Sequence, residues 1–110
     1  MSMDMIEKIR NAFEIISNNL PVSADKLVDM FYDLTGCELV YDLFPTVERI
    51  EKVTKVEELR EYVARDRVYC IENDIEREYV IEAKVIDTFD TYKTVAIIHE
   101  YKVLNIELKR

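Results

Sequence analysis

The string Ile81-Glu82-Ala83-Lys84 holds the residues best suited to chemistry. In an extended segment, positions two apart project to the same side, so a Glu-x-Lys pair sets a carboxylate beside an ammonium group. A carboxylate oxygen is a hard ligand for Mg²⁺, and a neighbouring lysine can orient a water for attack. His99, the only histidine, lies between Ile98 and Glu100 with no serine close by in sequence. A thiol–imidazole dyad would require Cys70 on an adjoining strand; a hydrogen-bonded structural histidine is the simpler expectation. Cys37 and Cys70 lack the paired Cys or His neighbours of a zinc site. They are expected as buried free thiols, with a disulfide between them as the alternative.

A strand carrying Glu-x-Lys downstream of an acid resembles the PD-(D/E)xK nuclease superfamily over a short stretch. The resemblance implies an Asp and Glu82 holding a divalent cation while Lys84 positions the attacking water. Asp74 is the Asp available just upstream. With a turn between Asn73 and Glu78, paired positions sum to about 151, which sets Glu82 opposite Tyr69 and Asp74 on the order of 15 Å away at the turn. That separation is too great for one metal ion. Glu38, Asp42 or Glu100 would have to complete the site from neighbouring strands. The expectation is therefore a cross-strand ion-paired surface at Glu82 and Lys84, with no metal and no cofactor. A metal-dependent nuclease with Glu82 and Lys84 in its active site is the alternative.

Charge narrows the partners. Fifteen basic against twenty-three acidic residues give −8 and a pI near 4.7. A nucleic-acid binder needs a basic surface to neutralise phosphates, so direct nucleic-acid binding is not expected. Anionic membranes are disfavoured by the same sign. A single Gly excludes the glycine-rich phosphate loops. Many charges, few amides and almost no glycine suit a thermophile. No targeting segment or apolar run of membrane-spanning length is visible, so a cytoplasmic location is expected.

The elements follow from periodicity. Met5, Ile9, Ala12, Phe13, Ile16 and Leu20 recur at three and four residues, predicting a helix over about 3–18. Ser23 caps a second helix with the stripe Leu27, Val28, Phe31 and Leu34, closed by Gly36. Its acids Asp25, Asp29 and Asp33 oppose a DNA-reading role for the pair. Glu38–Phe44 reads as a strand. Thr54-Lys55-Val56-Glu57 matches a capping box, and Val56, Leu59, Tyr62 and Val63 suggest a third helix ending near Arg65-Asp66. Strands are then expected over Val68–Glu72, Glu78–Asp87, Tyr92–Val103 and Asn105–Lys109, with turns near Asn73-Asp74 and Asp87–Thr91. In the second of these, Tyr79, Ile81, Ala83 and Val85 share the core face. Phe13, Ile16, Phe31, Leu34, Leu39, Leu59, Ile81, Ala83 and Ile97 are the predicted core.

With 110 residues and no linker, the chain forms one domain over 1–110. The fold class is α+β, order ααβαββββ, with helices on one face of an antiparallel sheet of four to five strands. The function expected is that of a small acidic, non-enzymatic interaction or regulatory protein. It is expected to form a homodimer, and its acidity would suit inhibition of a basic nucleic-acid-binding partner. Seven tyrosines, a residue type enriched at interfaces, add to that reading.

Overall fold

The computed structural model describes residues 4–42, 50–53, 59–90 and 95–110. Helix α1 (Met5–Ser17) starts at Asp4, whose carboxylate accepts from the Ile6 and Glu7 amides. Ile9, Ala12, Phe13 and Ile16 form its buried stripe. After the two-residue strand β1 (Val22–Ser23), helix α2 (Ala24–Thr35) begins at Ser23, which accepts from the Lys26 amide at 3.2 Å. It ends at Gly36, which takes φ 73° and donates its amide to the Tyr32 carbonyl at 2.7 Å. Both helices match the sequence expectation, as do the Ser23 and Gly36 caps of α2; the Asp4 cap of α1 was not anticipated, and Leu34 is exposed.

Five further strands follow: β2 (Glu38–Val40), β3 (Ile50–Val53), β4 (Leu59–Glu72), β5 (Ile75–Asp90) and β6 (Val95–Leu108). All pairings are antiparallel, in the order β1-β6-β5-β4-β2, with β3 also on β4. Fourteen residues of strand extend about 46 Å, so β4 to β6 run the 48 Å length of the molecule. The chain is thus α+β, with its helices packed on one face of an antiparallel sheet.

The third helix is not there over the residues described. Leu59–Arg65 belongs to β4, and residues 54–58, with the capping box, lie outside the described residues. The three-residue apolar step was misleading. The true period is two: Tyr62, Ala64, Asp66, Val68 and Cys70 are buried in alternation. An aspartate in the middle of that series hides it, because a buried carboxylate reads as a surface residue. Leu43 and Phe44 of the first predicted strand are also outside the described residues.

The last two predicted strands are one. β6 runs through Leu104, which together with His99 is bulged out of register with β5. The β4–β5 hairpin turns at Asn73 and Asp74 alone, with φ of 53° and 65°, the left-handed pair of a two-residue turn. Glu82 therefore faces Arg65, not Tyr69. The core holds Phe13, Ile16, Phe31, Leu39, Ile81 and Ala83 as expected, but Leu59 and Ile97 are only half-buried. Ile98, which points inward beside Ala96, has the central position expected of Ile97.

Candidate functional site

The sheet has two faces of different chemistry. The inner one carries the helices. Tyr79, Ile81, Ala83 and Val85 of β5 point there, and Phe13 stacks on Tyr101 with ring centroids 4.6 Å apart. Two carboxylates share this face with the apolar core: Asp66 is 1% exposed and Asp87 fully buried. Each occupies a core-parity position of its strand, and each is held by hydroxyls.

Asp87 receives the Tyr41 hydroxyl at 2.8 Å and the Tyr62 hydroxyl at 2.6 Å. Arg60, directly opposite on β4, grips it through Nε and Nη2, both at 2.9 Å. Tyr41 and Tyr62 also contact each other through their hydroxyls, and the Arg60 guanidinium lies over the Tyr62 ring. Burial, helped by the carboxylate charge, pushes the Tyr41 and Tyr62 phenols far above their ordinary range. Burial works against the Arg60 cation, and the hydrogen bonds and charge of Asp87 outweigh it, so the guanidinium stays firmly protonated. Asp66 accepts from the Tyr101 hydroxyl at 2.6 Å and from the Asp42 amide at 2.8 Å. Desolvation, followed by the charge of Asp66, likewise raises Tyr101.

Among the described residues no buried side-chain nitrogen or oxygen lacks a partner. The two-carboxylate cluster is thus sealed and satisfied. Its chemistry is to fix geometry: Tyr41 and Asp42 pin the segment after β2 onto β4 and β5, in the way satisfied buried networks specify one arrangement. Sequence reasoning missed all six of its members. The signal was present in the parity of Asp87, which continues the series Tyr79, Ile81, Ala83 and Val85.

The outer face carries the residues singled out from sequence. Glu82 and Lys84 project together, as their spacing requires. Glu82 lies 3.8 Å from Arg65, and Lys84 lies 3.2 Å from Glu61, both across the β4–β5 pair. Asp74 sits at the hairpin tip, eight residues and roughly 26 Å along the strand from Glu82. Glu38 lies on the outer face opposite Tyr69, Asp42 adjoins Asp66, and Glu100 stands opposite Ile86. Among the described residues no group of three or more His, Cys, Asp or Glu is placed to hold a metal ion.

His99 is exposed in its bulge and bonds Thr88 Oγ1 at 3.1 Å. Cys70, opposite Arg77 near the other end of the sheet, is separated from it by β5, so the two form no dyad. Cys70 instead neighbours Cys37. Both thiols are free and buried, and burial, with Cys37 beside it, pushes the Cys70 thiol well up. No family model matches the chain, and neither the curated proteins nor the solved structures contain a significantly similar one. No described helix is long and apolar enough to cross a membrane.

Proposed function

We propose that the chain is a protein-interaction module that works as a homodimer joined through the outer face of its sheet. The mixed charge of that face carries the reading. Arg65, Arg67, Lys84, Lys102 and Lys109 stand interleaved with Glu38, Glu61, Glu76, Glu78, Glu82, Glu100 and Glu107 around half-buried Val63, Val80 and Ile86. The chain as a whole carries −8, so most of its acid excess lies off this face, including the exposed Asp25, Asp29 and Asp33 of α2. A two-fold interface brings one surface against itself. A face of mixed sign is self-complementary in that arrangement, where an acidic one would repel itself.

Edge pairing is the less favoured route. β6 is broken by bulges at His99 and Leu104 and carries Lys102, devices that discourage strand addition. Dimerisation through the outer face leaves the acidic helical side pointing outward. That side suits a basic protein, such as one whose own site takes nucleic acid. Free buried thiols agree with a reducing, cytoplasmic setting.

Light scattering tests the assembly. The expected mass at micromolar concentration is twice 13.1 kDa, falling to a single chain in Ile86→Arg with an unchanged circular dichroism spectrum. A mass of 13.1 kDa at every concentration overturns the proposal.

A further inference from the structure

Three sulfur atoms meet at the hairpin-turn end of the sheet. Met5 comes from the first turn of α1, Cys37 from the link between α2 and β2, and Cys70 from β4. Cys37 Sγ lies 3.7 Å from Met5 Sδ. The β2–β4 register pairs Glu38 with Tyr69, so Cys37, one residue earlier, falls opposite Cys70. The sulfurs lie at the floor of a cavity of about 570 Å³ that Lys8, Tyr32 and Tyr69 also line.

We propose that Met5, Cys37 and Cys70 form a binding site for a soft monovalent metal ion of the Cu(I) class. Thiolate and thioether sulfur select that class over hard cations. A metal–sulfur bond of roughly 2.3 Å sets the sulfurs of a trigonal site about 4 Å apart. The Cys37–Met5 separation of 3.7 Å is already close to that edge. The geometry disfavours zinc, which takes four ligands in structural sites. Binding involves no electron transfer. As each metal–thiolate bond forms, the thiol proton leaves to solvent, so one ion displaces two protons. The site then carries a single negative charge, and the Lys8 ammonium, which lines the same cavity, offsets it.

The full-length reduced protein is titrated anaerobically with Cu(I) against a coloured Cu(I) chelator, and with Ag(I) as a redox-inert probe. The expected result is one ion per chain, two protons released, and a higher melting temperature on loading. Met5→Leu, chosen to preserve the fold, is expected to weaken binding about tenfold or more, with an unchanged spectrum of the metal-free protein. Cys37→Ser and Cys70→Ser are each expected to abolish stoichiometric uptake. The proposal is overturned if the chelator retains the metal, if Met5→Leu binds as tightly as the parent chain, or if uptake survives in the double serine variant.

Discussion

Asp87 is a fully buried carboxylate at the centre of the polar cluster. It holds two phenols and a bidentate guanidinium. Breaking a buried, hydrogen-bonded ion pair by removing one partner typically costs about 3–5 kcal/mol. Asp87→Ala is expected to fall in that range by urea unfolding, since it also takes the acceptor from the Tyr41 and Tyr62 hydroxyls. A loss below about 1 kcal/mol, the scale of an exposed pair, would show that the cluster is dispensable.

The same tyrosines set the alkaline limit. Burial and a hydrogen bond to Glu72 push Tyr79 from 10.0 up to about 12, and Tyr41, Tyr62 and Tyr101 are raised as well. A phenol whose folded pKa exceeds its unfolded value stabilises the fold fully below the unfolded pKa. That contribution is lost as pH rises from 10 through the folded value. Stability is therefore expected to fall steadily above pH 10. An ultraviolet titration of the folded protein should leave Tyr41, Tyr62, Tyr79 and Tyr101 un-ionised well above pH 10. Seven phenols titrating together near the ordinary value would contradict the burial described.

The elements differ in how legible they were. Helices α1 and α2 could be read because their apolar stripes are unbroken, with Pro21 after the first and Ser23 and Gly36 at the ends of the second. At Gly36 a Cβ would meet nothing within 4 Å, so only its φ of 73° opposes a side chain. Gly36→Ala is expected to cost about 1–2 kcal/mol in chemical unfolding, and no loss would mean the cap relaxes freely. β4 was illegible at its start because Asp66 interrupts its buried series, and the β6 bulges obscured one long strand. These are places where a long-range partner, Tyr101 or the neighbouring strand, decides the conformation and local periodicity does not. The pairing of Ile97 with Thr88 and of Ile98 with Asp87 yields a test of facing. Ile98→Ala should cost about 2–4 kcal/mol through the cavity it leaves, and Ile97→Ala distinctly less. Equal losses would contradict the assigned register of β6.

For the whole molecule, the candidate site was legible in part. The spacing of Glu82 and Lys84 fixed their common face, but their partners Arg65 and Glu61 depend on a register that the two-residue turn at Asn73 and Asp74 sets. The mixed charge of that face emerges only when β4, β5 and β6 are laid side by side, since no single strand displays it. Shielding of the face by a second copy is the central claim. Methyl NMR on a mixed sample, with isotope label in half of the chains, tests it most directly. The account predicts intermolecular contacts among Val63, Val80 and Ile86 across a two-fold axis, lost in Ile86→Arg. Intermolecular contacts confined to the helices or the β6 edge, or none at millimolar concentration, would contradict it.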